Sequence, residues 1–171
     1  MKIGVAASII LTLAVGVGGQ VSSVYTDLDD RKCKTLESAG DNGVNYKGEC
    51  KGVGGYKLHV IEGDLRQTID VIAPDGETHE LLLWQHFGGF SAVGPRAEWR
   101  VKSKKPFALI FRFNVNENPE DSSKYTSYLL VAKITDMLAC VTDIIKPSQT
   151  QNAEARRAAD RAANTPCKTA D

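Results

Sequence analysis

The chain has 171 residues, with 21 Lys and Arg against 21 Asp and Glu, and four cysteines. That balance, with no basic stripe beyond the short cluster Lys102, Lys104 and Lys105, argues against a nucleic-acid partner held by phosphate neutralisation. The length suits one domain, since a chain of this size buries about 70% of its unfolded surface in a single core.

The N terminus reads Met1-Lys2, then an uncharged run from Ile3 to Gly19, then the polar Gln20, Ser22 and Ser23. This is the three-part layout of a secretory signal. Its apolar part, Ile3 to Val17, is about 15 residues, short of the roughly 20 that a bilayer span takes. Val17 and Gly19 provide the small residues needed for cleavage after Gly19, and Val21 and Ser23 those for cleavage after Ser23, of which the first is favoured. The expectation is a signal peptide over 1–19 and a domain over 20–171 with no membrane span, periplasmic or secreted. The first cysteine, Cys33, lies too far from the run for a lipid anchor.

An even number of cysteines beyond an export signal points to disulfides rather than to a metal or redox site, and no C-x-x-C pair occurs. Cys33-Lys-Thr-Leu-Glu37 and Tyr46-Lys-Gly-Glu-Cys50 read as hairpin arms around the turn-rich 38–45 segment. Setting Glu37 opposite Tyr46 brings Cys33 opposite Cys50 and leaves Cys140 for Cys167. From Tyr56 the chain becomes short alternating runs separated by turn chemistry. Residues 56–61 and 67–73 form a hairpin around Glu62-Gly63-Asp64, and Pro74-Asp75-Gly76 turns the chain into 78–84. Strands follow at 97–101 and 107–115, the latter with Phe107, Leu109, Phe111, Phe113 and Val115 on one face and Arg112 and Asn114 on the other. A last hairpin runs from Tyr125 to Ile145. Helix formers then fill Asn152 to Ala163, with Ser148, Thr150 or Asn152 as N-cap. Ala155, Ala158, Ala159 and Ala162 make a small-residue face, and Arg156 is placed to pair with Asp160 on the opposite, solvated side. The predicted fold is mainly β, an antiparallel sandwich or barrel of about seven or eight strands with one C-terminal α-helix.

The chemistry of sites is sparse. His59, His79 and His86 lack metal-ligand spacing, so no metal is expected; His59 alternates with Lys57 toward solvent, and His79 flanks a turn. No G-x-S-x-G elbow or phosphate loop is present, and Glu62, Asp64 and Asp70 read as solvated turn acids. The richest segment is the glycine-bearing loop Gln85 to Arg96, leading into Glu98-Trp99-Arg100. Long loops without regular structure are often functional. His86, Phe87, Phe90, Arg96 and Arg100 are therefore the candidate binding residues.

Several strings resemble a family of small uncharacterised secreted bacterial proteins. They are Ser23-Val-Tyr-Thr-Asp-Leu28 with Cys33-Lys-Thr-Leu-Glu37, Gly52-Val-Gly-Gly-Tyr-Lys-Leu58, Gly63-Asp-Leu-Arg66, Gly94-Pro-Arg-Ala-Glu-Trp-Arg100 and Ala139-Cys-Val-Thr-Asp143. The resemblance spans nearly all of the chain past residue 19 and implies export and a single domain, with no assigned activity and no catalytic residue to carry over. The expected function is a monomeric, non-enzymatic binding domain of the cell envelope, needing no cofactor, with a protein or glycan partner. Two narrower expectations are an inhibitor of a hydrolase such as lysozyme acting through the 85–96 loop, and a hydrolase assembled from dispersed residues such as His86 with Asp64 or Glu98.

Overall fold

The computed structural model describes residues 19–41, 44–118, 120, 121 and 123–169. The expected signal peptide over 1–19 lies outside the described residues apart from Gly19. The strands are β1 (Val21–Asp27), β2 (Lys34–Asp41), β3 (Val44–Lys51), β4 (Lys57–Gly63), β5 (Arg66–Ile72), β6 (Thr78–Glu80), β7 (Ser91–Lys102), β8 (Lys105–Val115), β9 (Thr126–Ile134) and β10 (Ala139–Ile145). One helix, α1 (Gln151–Arg161), follows.

The fold is thus mainly β with a C-terminal helix, but the sheet has ten strands rather than seven or eight. Val21–Asp27 pairs with β7 along its whole length although most of its side chains face outward, so it shows no apolar period. The order β10-β9-β8-β7-β5-β4-β3-β2, with β1 on β7 and β6 on β5, is open; no barrel closes among the described residues. The β5–β7 link is one parallel pairing, Arg66 with Ser91, and every other pairing is antiparallel. The sheet therefore falls into two five-stranded halves.

The halves share one core. Leu58, Val60, Ile69 and Val71 from one cluster with Leu109, Phe111, Phe113 and Leu130 from the other. Burying each such side chain stabilises the fold by about 2 kcal/mol. Trp99 of β7 is fully buried 6.2 Å from the Tyr56 ring. Its indole N–H donates to Thr26 Oγ1 at 2.9 Å, and the Thr26 hydroxyl donates to the Lys51 carbonyl at 2.9 Å. One hydrogen-bonded chain thereby joins β7, β1 and β3 across the core.

The second layer is α1. Ala155, Ala158, Ala159 and Ala162 are fully buried against Ala108, Ile110, Leu129 and Val131, as the small-residue face predicts. The polar face expected of β8 is therefore covered at this end. Phe107 also departs from the predicted face: the register passes from Val101↔Pro106 to Arg100↔Ala108, so Phe107 is the extra residue of a bulge and packs under α1. Thr150 is the N-cap, its hydroxyl bonded to the Glu154 carboxylate.

Both disulfides form as expected, Cys33–Cys50 and Cys140–Cys167. The register between them is corrected by one residue: Ser38, not Glu37, faces Tyr46, and a bulge between Thr35 and Glu37 restores the cysteines to their pairing. The second bridge lays the tail along the outer edge of β10, where Lys168 N donates to the Val141 carbonyl at 2.7 Å. No helix among the described residues is long and apolar enough to cross a membrane.

Candidate functional site

The β4–β5 hairpin turns on Asp64 and Leu65, both left-handed at φ 51° and 57°, a geometry that usually selects glycine or asparagine. Leu82 is also left-handed, at φ 47°. It ends the extended run at β6, so Leu83–Gln85 form a 3-10 turn instead of prolonging the strand. These conformations cost roughly 1 kcal/mol each and cluster at binding sites. They persist because the segment is fastened at several points: Leu83 N to Thr68 Oγ1 (3.3 Å), Ser91 N to Leu65 O (3.1 Å) and Asn116 N to Phe90 O (2.8 Å).

Between these fastenings Phe87 turns inward, its ring 5.3 Å from Phe113 and 5.1 Å from Tyr128. Gly89 lets the chain pass the Asn116 carbonyl, which any Cβ would strike. The result is a cleft of about 540 Å³ bordered by Arg66, His86, Phe90, Asn116 and Glu117, with Phe87 among its walls. A second cleft of about 240 Å³ lies between Trp84, Glu62 and Thr68. Arg66 lines both, so the two adjoin. Trp84 and Phe90 on their borders are 48% and 45% exposed, and Leu65, between the cleft residues Asp64 and Arg66 in the chain, is 60% exposed.

The charges of this face are set by its neighbours. Arg66 Nη2 donates to Asp64 at 2.7 Å, and the Tyr128 hydroxyl donates to Glu117 at 2.6 Å. Hydrogen bonds from Thr126 and Tyr128 hold Glu117 below its ordinary pKa, so it stays ionised at neutral pH. Burial and the bond to Glu117 push Tyr128 up to about 12.

Of the five candidate residues, His86, Phe87 and Phe90 meet at this cleft, and Arg96 and Arg100 do not. Residues 91–96 belong to β7, so the expected twelve-residue loop contracts to 86–90. Gly94-Pro95-Arg96, placed in that loop from the sequence, is a bulge within β7, where the register moves from Val93↔Phe113 to Ala97↔Phe111. Proline is tolerated at such a point. Arg96 instead lies over the Tyr25 ring, 5.8 Å from its centroid and 3.7 Å from Asp27. Arg100 binds Asp160 through Nε (2.8 Å) and Nη2 (3.1 Å) and Ser23 through Nη1 (2.6 Å). Asp64 lines the smaller cleft beside that of His86, whereas Glu98 is held by Arg156 on the helix side of β7.

Sequence reasoning missed Trp84, Arg66, Asn116 and Glu117. Trp84 closes the apolar run Leu81 to Leu83, where alternation implies a buried strand; only the left-handed Leu82 turns the run aside. Two further corrections concern acids and histidines. Glu49, His59, Asp70 and Glu80 are directly opposed across β3, β4, β5 and β6. Asp70 is buried, and His59 is largely covered and lies 3.4 Å from Glu49. Burial, reinforced by the Glu80 charge, raises Asp70 to about 6. His79 is buried in β6 rather than flanking an open turn. No group of three or more His, Cys, Asp or Glu side chains is placed to hold a metal among the described residues.

A comparison with protein-family models, curated proteins and solved structures finds no match to this chain.

Proposed function

We propose that this chain is an exported, non-enzymatic binding domain of the bacterial envelope that recognises a partner protein through the face bearing Leu65, Trp84 and Phe90. The observation that carries this reading is the pair of half-exposed aromatic rings bordering two adjoining clefts that share Arg66. Trp and Arg dominate the energetics of protein interfaces when they border pockets that exclude water. Exposed apolar groups gathered on one rim mark an interaction surface more than scattered ones do. Export is supported by the leader pattern of residues 1–19, by the family resemblance, and by two disulfides, which suit an oxidising extracellular or periplasmic setting. The inhibitor reading is weaker. With residues 91–96 in β7 and Phe87 packed inward, Phe90 alone of the two phenylalanines is available to enter an enzyme's cleft.

The test is capture from envelope extract by the 20–171 protein, comparing the wild type with the Trp84→Ala/Phe90→Ala double variant. Capture of a discrete protein by the wild type and its loss in the variant supports the reading. Equal capture by both removes it. Retention on protein-free envelope polysaccharide, abolished in the same variant, replaces the protein partner with a glycan.

A further inference from the structure

A second cleft system lies on the helix-covered face and owes nothing to the aromatic surface. From it we infer an oxyanion site, formed by the β7 bulge, β8 and the first turns of α1, that takes the carboxylate or phosphate group of a small ligand. The cleft measures about 280 Å³ and is lined by Tyr25, Arg96, Arg112, Asn152 and Arg156, with Glu98 as its one carboxylate. Three guanidinium groups line the recess against one carboxylate, and with Asp27 3.7 Å from Arg96 a single positive charge is left over.

The backbone explains why the arginines converge. The bulge sets Gly94, Pro95 and Arg96 of β7 opposite Arg112 alone in β8. Gly94 has no side chain at the point where a Cβ would stand 2.7 Å from Arg112 Cβ, so the stem of Arg112 lies against β7. Bulges commonly re-aim side chains at binding sites. Arg112 is then fixed by Nη1, which donates to Ser127 Oγ at 2.9 Å and to Gln151 Oε1 at 3.3 Å. Arg156 is fixed by Nε and Nη2 on Glu98 at 2.9 and 3.0 Å, with Nη2 also donating to the Tyr25 hydroxyl at 3.0 Å.

The donors left over define the ligand. A guanidinium carries five N–H groups and no acceptor. Nε and Nη2 of Arg112 and Nη1 of Arg156 have no hydrogen-bond partner among the described residues. The Arg96 guanidinium makes no hydrogen bond among them either, its nearest carboxylate oxygen being that of Asp27 at 3.7 Å. The acceptor capacity of Glu98 is already engaged by Arg156 and by Ser23, whose hydroxyl donates at 2.6 Å. Asn152, the second residue of α1, lines the same cleft, so the positive end of the helix adds to the field. Held guanidinium forks with unmet donors match the paired oxygens of carboxylate and phosphate, which they bind in bidentate fashion.

The experiment is titration of the 20–171 protein with sodium phosphate and, separately, sodium acetate at ionic strength held constant with sodium chloride. Binding is read from the ¹⁵N-resolved side-chain signals of Arg112 and Arg156. The expected result is a saturable shift with at least one anion. Affinity should fall at least tenfold in Arg112→Gln and in Arg96→Gln and be unchanged in Arg157→Gln, on the exposed flank of α1. Saturation by phosphate alone assigns a phosphate ester, and by acetate alone a carboxylic acid. Because Arg112 also braces the helix, Arg96→Gln decides the matter should Arg112→Gln unfold. Shifts that grow linearly with both anions, or equal affinity in Arg96→Gln and the wild type, overturn the site.

Discussion

Arg156 reaches from the flank of α1 to both carboxylate oxygens of Glu98 in β7, with Nε 2.9 Å from Oε1 and Nη2 3.0 Å from Oε2. The i, i+4 partner that the helix sequence suggests for Arg156, Asp160, is instead bound to Arg100 of the same strand. Two crossed ion pairs therefore bolt the helix to β7, beyond the alanine packing on β8 and β9.

Glu98→Gln should lower stability by about 2 kcal/mol at neutral pH. Removing one partner of a fully buried pair costs roughly 3–5 kcal/mol, and the half-exposed Arg156 reduces that figure. For a domain of this size the melting temperature should drop by roughly 4–8 °C. Burial opposes ionisation of Glu98, but the bonds from Arg156 and Ser23 outweigh it and leave its pKa below the ordinary value. Its contribution is thus present above the ordinary carboxylate pKa and is lost as pH falls through the lowered one. Melting curves of variant and wild type at neutral pH, and their convergence in acid, check both statements; equal curves at neutral pH refute them.

Asp70 acts in the opposite direction. Burial and then the Glu80 charge hold it at about 6 in the folded chain, up from 3.8. A raised acid stabilises the fold fully below its unfolded pKa and ceases to do so as pH rises through about 6. His59, drawn below its ordinary value by burial, favours the fold at higher pH and partly masks the trend. Asp70→Asn removes one side of this balance. It should raise stability at pH 7.5 by on the order of 2–3 kcal/mol and have little effect near pH 4. Urea unfolding of both proteins at the two pH values provides the comparison, and an equal difference at both would remove the account.

How far these features were legible depends on the distance over which their causes act. The disulfide pairing, the apolar face of β8 from Leu109 to Val115 and the alanine face of α1 follow from local periodicity, and the structure agrees with them. Val21–Asp27 was invisible because an edge strand with mostly exposed side chains has no apolar period. The placement of Phe107 and of Gly94 to Arg96 is not legible in the sequence because a bulge depends on the partner strand, not on its own residues. Glu98 with Arg156, and Asp70 with Glu80, are pairs of distant or cross-strand residues whose burial is set by what covers them. The loop was recognisable by its glycines, yet Trp84 was hidden in an apolar run that a single left-handed residue diverts.

The Cys140–Cys167 bridge joins residues 27 apart in sequence and anchors the tail against β10. Replacing both cysteines by serine should cost about 3 kcal/mol through the freed chain entropy. It should also remove the exchange protection of the Lys168 amide, which rests on its bond to Val141. The amides of the β2–β3 hairpin, held by the other bridge, should keep theirs. Amide exchange on the double variant checks this, and an unchanged Lys168 rate would show that the tail docks without its covalent tie.

Phe87 and Phe90 are three residues apart and separate the two roles of one loop. Phe87 packs at a tilt against Phe113 and Tyr128 on the margin of the core, so Phe87→Ala should cost roughly 2–3 kcal/mol, less than the truncation of a fully buried phenylalanine. Phe90 is half exposed, and Phe90→Ala should stay within about 0.5 kcal/mol of the wild type. Gly89→Ala should behave like Phe87→Ala in direction, because its Cβ meets the Asn116 carbonyl and must displace the 86–90 segment from β8. Denaturant curves for the three variants order them. If the rim is the recognition surface, Phe90→Ala is the one that weakens partner capture while leaving the curve in place. A Phe90→Ala curve shifted as far as that of Phe87→Ala would place both rings in the core and leave the cleft without its aromatic border.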